Sequence, residues 1–274
     1  MVEGLVLVAG ATGGVGQLAV AQLLAQDYSV RVLTRSAAKA QKLFGDRVAI
    51  AEGDIQQPAT LPAATQGVSA ILCCTGTTAF PSSRWQFEFE QSESGFAQAI
   101  GWAKVLFDAD YRRQQAQNSP YQVDAIGVSN LVAAAPQSIS RFVFVSSCGI
   151  ERKDQLPFSL LNAFGVLEAK QQGEQAILAS GLPYTIIRPA RLIDGPYTSY
   201  DLNTLLQAKT QGELDVVLGT GDRLNGQTSR IDVAAACVAS LQFAAARNQI
   251  FEIISQGDRP AQIDWQEKFE RLSA

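Results

Sequence analysis

Residues 4–24 read GLVLVAGATGGVGQLAVAQLL, and the fold follows from how this stretch divides. The apolar run Leu5 to Ala9 stops at Gly10, Gly13 and Gly16 follow at three-residue intervals, and Leu18, Ala21, Leu23 and Leu24 then recur at helical spacing. The pattern predicts a strand, a tight turn and a helix. Gly10 permits a turn that a β-carbon would obstruct, Gly13 lets the backbone approach a pyrophosphate, and Gly16 lets the helix pack close to the strand. The unpaired N–H groups of the helix's first turn, from Gly14, Val15 and Gly16, then face the phosphates. A glycine triplet alone also fits a plain strand-to-helix connection; its place between a strand and a helix favours dinucleotide binding.

With 274 residues, 47% of them hydrophobic and 18% charged, the chain can bury the core of an undivided α/β domain. The reading is one domain over residues 1–274, with a small C-terminal substrate lobe from about residue 190. A formal charge of −4 leaves no general basic surface, which argues against nucleic acid as a partner. No basic segment leads into an apolar signal core, and no uncharged apolar run is long enough to span a bilayer, so the expected location is cytoplasmic. The four cysteines (Cys73, Cys74, Cys148 and Cys237) show no Cys-x-x-Cys spacing and read as reduced, mostly structural thiols. Histidine is absent. That excludes Ser-His-Asp and Cys-His nucleophile systems and histidine metal sites, and no metal is expected.

Downstream, residues 29–34 (SVRVLT) alternate as a second strand and deliver Arg35 to its end, where a nucleotide-binding fold inspects the adenosine ribose. An acidic residue there would accept the 2′-hydroxyl; Arg35, helped by Ser36 or Lys39, would pair with a 2′-phosphate, so NADP(H) is expected over NAD(H). Residues 47–51 (RVAIA) read as a third strand, followed by Asp54 and Ile55, either a plain turn or an adenine contact. A helix over 58–66 precedes a buried strand over 68–74 that ends in Thr75-Gly76-Thr77-Thr78. Residues 80–119 interrupt the alternation with an aromatic-rich insertion, read as a packed subdomain or as a lid or partner-docking surface. A helix over 121–135, a strand over 141–146, a helix over 158–180 carrying Lys170, and a strand over 184–188 ending in Pro189-Ala190 follow. The remainder reads as a helix near 202–211, a strand over 215–218, a helix to about 247, a strand over 250–255 and a terminal helix from Asp264.

Five strand-helix units led by GATGGVG, with Ser146-Ser147 after a later strand and Lys170 on the next helix, resemble the short-chain dehydrogenase/reductase superfamily over essentially the full length. GATGGVG, RFVFVSS, GLPYTIIRPARL and SRIDVA together are similar to its atypical cyanobacterial and chloroplast branch. That branch includes the NADP-binding subunit of the inner-envelope translocon and domains joined to a complex I intermediate-associated domain; TGTTAFPSSRW and FGVLEAKQQGE look closest to the latter. The resemblance implies a doubly wound, mostly parallel Rossmann sheet with helices on both faces. It assigns Gly10, Thr12, Gly13 and Gly16 to the pyrophosphate turn, Arg35 to the 2′-phosphate, Asp54 and Ile55 to adenine, and Thr75 and Gly76 to the ribose loop. It places Ser146 or Ser147 at the catalytic serine, Lys170 at the lysine, and Pro189-Ala190 against the nicotinamide.

One departure matters. The superfamily pairs its lysine with a tyrosine four residues earlier, and that position is Val166 here, so Lys170, with Ser146 beside the cofactor, can still hold the ribose hydroxyls while the usual general acid is absent. Two expectations follow: an NADPH-dependent reductase of a small molecule, with Ser147, Lys170 and a proton from Ser147, Cys148, Tyr197, Tyr200 or water; or an NADP(H)-sensing scaffold docking a photosynthetic or respiratory partner through the insertion, peripheral to a photosynthetic membrane.

Overall fold

The computed structural model describes residues 4–91, 95–193 and 214–272. In chain order the strands are β1 (Leu5–Ala9), β2 (Ser29–Thr34), β3 (Ala49–Glu52), β4 (Val68–Cys73), β5 (Arg141–Val145), β6 (Tyr184–Pro189), β7 (Arg191–Leu192), β8 (Leu214–Gly219), β9 (Gln227–Thr228) and β10 (Gln249–Asp258). The α-helices are α1 (Gly14–Ala25), α2 (Ala37–Phe44), α3 (Leu61–Thr65), α4 (Gly95–Phe107), α5 (Ala109–Gln115), α6 (Val128–Ala134), α7 (Phe158–Leu161), α8 (Val166–Ala179), α9 (Arg230–Gln242) and α10 (Trp265–Glu270).

Eight strands form one sheet in the order β3-β2-β1-β4-β5-β6-β10-β8, and β7 pairs with β9 apart from it. All neighbours in the large sheet are parallel except β10 and β8. Strand alternation divides the core between two faces. Val6 and Val8 of β1 pack with α1, α2 and α9 on one face, while Leu7 and Ala9 pack with α3, α6 and α8 on the other. The Rossmann-type α/β reading is borne out.

Some boundaries differ from those expected. The third strand runs Ala49–Glu52, and the expected helix over 58–66 is a 3-10 turn (Pro58–Thr60) followed by α3. The helix over 121–135 opens as a π-helical stretch (Tyr121–Gly127) before becoming α6. The helix over 158–180 is broken between α7 and α8, because Gly165 takes φ 79° and the Asn162 side chain caps the amides of Leu167 (2.9 Å) and Glu168 (3.3 Å). The expected helix near 202–211, with Tyr197 and Tyr200, lies outside the described residues.

The insertion has a small core of its own. Trp85, Phe87, Val105 and Ala116 are buried, and Phe87 stacks on Phe89 at 5.2 Å with Trp102 edge-on to both rings. A β-carbon at Gly101 would fall 2.5 Å from the Phe89 ring, so glycine there lets α4 approach this cluster.

Candidate functional site

Because β1 to β6 are parallel, their carboxyl ends reach one edge of the sheet, bringing Gly10, Arg35, Asp54, Thr75, Ser146 and Ala190 to it. The strand order reverses between β1 and β4, which opens a crevice at that point. Gly10 adopts φ 75°, and a β-carbon on it would sit 2.7 Å from the Cys74 carbonyl carbon. At Gly16 a β-carbon would lie 2.2 Å from Gly10 O, so α1 can approach the turn only with glycine there. Gly13 is different: it is exposed, and its β-carbon would meet only Gly10 O, at 3.3 Å. A side chain at Gly13 would instead fill the space in front of the turn.

No side chain caps α1, and its first turn, from Gly14 through Val15 and Gly16, carries no acidic residue. An anion can therefore meet the amides of that turn without a competing carboxylate. The Gln17 side chain donates to Thr12 O at 3.0 Å and braces the turn from within. These features fit a dinucleotide pyrophosphate.

At the carboxyl end of β2 the Arg35 side chain is 58% exposed and stands 4.0 Å from Asp54 Oδ2. Its Nη1 donates to Asn118 Oδ1 at 2.6 Å. Asp54 Oδ1 accepts from the Gln56 amide at 2.9 Å, so its carboxylate makes a turn as well as facing Arg35. Ile55 is buried, and its carbonyl accepts from Asn130 Nδ2 at 3.0 Å. Ser36 caps α2 by accepting from the Lys39 amide.

At the other end of the crevice Lys170 is buried. Its ammonium lies 2.9 Å from Asp124 Oδ1 and donates to Val145 O (2.9 Å) and Thr75 O (3.2 Å). Burial pushes the Asp124 carboxyl upward from the usual carboxylate range, and Lys170 opposes that shift.

Residues 10–243 match the model of a family described as NAD(P)H-binding. The chain belongs to that NAD(P)H-binding family. Sanguinarine reductase of Eschscholzia californica is 33% identical over 258 residues, covering 92% of this chain and 89% of that protein. Protein TIC 62, chloroplastic, of Pisum sativum is 30% identical over 85% of this chain, which spans 39% of that longer protein. A solved short-chain dehydrogenase/reductase from Veillonella parvula in complex with NADP shares the fold at TM-score 0.59, with 18% identity and coverage of 96% and 99%. The resemblance to atypical short-chain dehydrogenases/reductases and the NAD(P)H cofactor are borne out. No helix among the described residues is long and apolar enough to cross a membrane.

At the position where the resemblance expects the superfamily's tyrosine, this NAD(P)H-binding chain carries an apolar residue. Val166 begins α8, is buried, and packs with Ile150 and Leu167 against Ala79, Phe158 and Leu161. Ser146 is also buried: its hydroxyl donates to Glu174 Oε1 at 2.5 Å. Glu174 in turn takes Arg188 through Nε (3.0 Å) and Nη2 (2.7 Å), while Arg188 Nη1 reaches Glu151 at 2.8 Å. Ser147 is half-buried and donates to Cys148 O at 3.0 Å. Cys148 is buried, its thiol bonds Arg188 O, and burial with Glu252 and Asp222 nearby pushes its pKa up to about 12. Pro189 O accepts from the Cys148 amide, and the Ala190 amide donates to Ile253 O.

Sequence reading did not single out Asp124, Asn118 or Glu174. Asp124 had a usable signal, since it is the one charged residue in the segment YQVDAIGVSNLVAAA. Asn118 and Glu174 meet their partners only through the fold.

Proposed function

We propose that this chain is an NADPH-dependent reductase of a small molecule. The observation that carries the reading is the uncapped turn around Gly13, set in the crevice where the carboxyl ends of β1 and β4 part. The similarity to sanguinarine reductase over most of both chains supports it. In this reading Gly10, Thr12, Gly13, Gly14, Val15 and Gly16 hold the pyrophosphate, Arg35 holds the 2′-phosphate, and Asp54 and Ile55 bound the adenine. Thr75, Gly76, Pro189 and Ala190 line the ribose and nicotinamide side. The nicotinamide, when bound, supplies a hydride. Lys170 acts on that side as a positioning residue, because its ammonium already serves Asp124, Val145 O and Thr75 O and so fixes the Thr75-Gly76 loop. Ser146 is assigned likewise to support of the edge through Glu174. Ser147 is the hydroxyl offered to the acceptor, with water supplying the proton, since Val166 leaves no tyrosine at the usual position and a thiol pushed up to about 12 at Cys148 is a poor acid at neutral pH.

The test follows NADPH absorbance with a series of conjugated imines, quinones and aldehydes. Turnover of at least one class is expected, with Ser147→Ala lowering kcat by roughly 100-fold, the loss of one hydrogen-bond donor to the reacting atom, while NADPH affinity is kept. An unchanged kcat removes Ser147 from the chemistry.

A second reading rests on α4, whose Phe96, Ile100, Ala103 and Phe107 are all exposed at spacings of four, three and four residues. That is the seam an apolar partner helix would fill. The insertion would then dock a protein partner, and a peripheral position on a photosynthetic membrane belongs to this reading, as a cytoplasmic location belongs to the first. NADPH binding without oxidation by any acceptor, together with loss of partner binding in the Phe96→Ser, Phe107→Ser variant, would favour it.

A further inference from the structure

The insertion returns to the sheet at Asn118, which is buried and held on every side. Its amide N–H donates to Trp85 O at 2.8 Å, and its Nδ2 donates to Gln86 Oε1 at 2.6 Å. Trp85 is itself fixed, 1% exposed, with Nε1 on Thr78 O and Oγ1 at 3.1 Å. Asn118 Oδ1 then accepts from both Arg35 Nη1 (2.6 Å) and Gln56 Nε2 (3.0 Å). The side-chain amide is thus oriented by two donors on its oxygen and one acceptor on its nitrogen, and no other orientation satisfies all three.

Arg35 projects from the end of β2 with more than half its side chain exposed, and Asp54 at 4.0 Å is beyond hydrogen-bond reach. Asn118 is therefore what holds the guanidinium. One of its five N–H groups is used in this way, which leaves four for a ligand while the fork keeps its direction. Holding a charged group in place before the ligand arrives lowers the ordering cost of binding.

We propose that Asn118 is a specificity-determining positioning residue for NADP(H), supplied by the insertion, and that it acts by aiming Arg35 at the 2′-phosphate. The inference rests on the reading of Arg35 as the 2′-phosphate contact. It also gives the insertion a part in cofactor selection independent of any lid movement or partner.

The experiment is calorimetric titration of NADPH and NADH into the full chain and its Asn118→Ala, Arg35→Ala and double variants, with Tm recorded for each. Asn118→Ala should weaken NADPH binding by about five-fold and NADH by less than about two-fold, and it should add nothing in the Arg35→Ala background. Should Asn118→Ala not fold, Asn118→Leu decides. It keeps the size of the side chain but offers Arg35 no acceptor, and it should weaken NADPH by about five-fold with NADH changed by less than about two-fold. Equal losses for both nucleotides, no loss, or a full loss persisting without Arg35 would overturn the proposal. Arg35→Ala weakening NADPH and NADH alike would instead remove the 2′-phosphate reading of Arg35, and this inference with it.

Discussion

Lys170 Nζ lies 2.9 Å from Asp124 Oδ1 against the backbone of Gly76, where a β-carbon would touch the ammonium at 3.5 Å and the carboxylate at 3.7 Å. Lys170, which the resemblance sets at the superfamily's lysine, is thus part of a buried ion pair under the loop that follows β4. Removing one member leaves the other charged and buried, which costs about 3–5 kcal/mol. Lys170→Met should accordingly lower Tm as well as activity. The sign with pH is fixed by Asp124. Its carboxyl is already raised above 3.8 by burial, and losing Lys170 raises it further. A raised carboxyl stabilises below its unfolded value and loses that contribution as pH rises through the folded one. The deficit of Lys170→Met relative to wild type should therefore be larger at pH 8 than at pH 5, measured by urea unfolding; equal deficits would mean that Asp124 is not the partner that matters.

Ser146 and Glu174 allow a structural role to be separated from a catalytic one. Glu174→Leu leaves Arg188 buried with only the half-exposed Glu151 for charge, and should cost about 3–5 kcal/mol. Ser146→Ala removes a single hydrogen bond and should cost about 1–2 kcal/mol, with turnover nearly unchanged. A collapse of kcat in Ser146→Ala at intact stability would return Ser146 to the chemistry.

Cys148 supplies a check on the electrostatics of the same edge. Burial raises its thiol from 9.0 to about 12, so the thiol form is stabilised below pH 9 and that contribution is lost only as pH climbs toward 12. Iodoacetamide at pH 8 should leave Cys148 unlabelled in the native chain and label it fully in urea. Rapid native labelling would contradict its placement beneath Arg188.

The glycine turn was legible in sequence because each of its constraints is local: Gly10 needs its φ, Gly16 its close approach, and both show as spacing. The strands of the large sheet were legible for the same reason, β2 through alternation and β1 and β4 as short apolar runs, whereas the two-residue strands β7 and β9 were not. Other features depend on contacts across the fold. The break before α8 turns on Asn162 capping amides five and six residues ahead, and a helical pattern on both sides conceals it. Asn118 meets Arg35 across 83 residues, and Ser146 meets Glu174 across 28. No periodicity reports such pairs, so Ser146 and Ser147 looked alike in sequence although one is buried against a carboxylate and the other is half-exposed.

The insertion's core of Trp85, Phe87, Val105 and Ala116 has the contacts of a packed unit. Hydrogen exchange in α4 should therefore change little with NADPH, while the amides of Gln117 and Asn118, bonded to Gln86 O and Trp85 O, should slow more than those of α10. A uniform slowing across 87–110 would point instead to a lid that closes over the cofactor.

If the turn at Gly13 receives the dinucleotide pyrophosphate, calorimetric titration of NADPH into wild type and Gly13→Val will show it. Gly13 has extended backbone (φ −87°, ψ 169°) that valine accepts, so the variant should fold with a Tm close to wild type. One NADPH should bind per wild-type chain, with a loss of at least about 100-fold in affinity, or ~2.7 kcal/mol, in the variant. Wild-type affinity in a folded Gly13→Val would contradict that placement of the pyrophosphate.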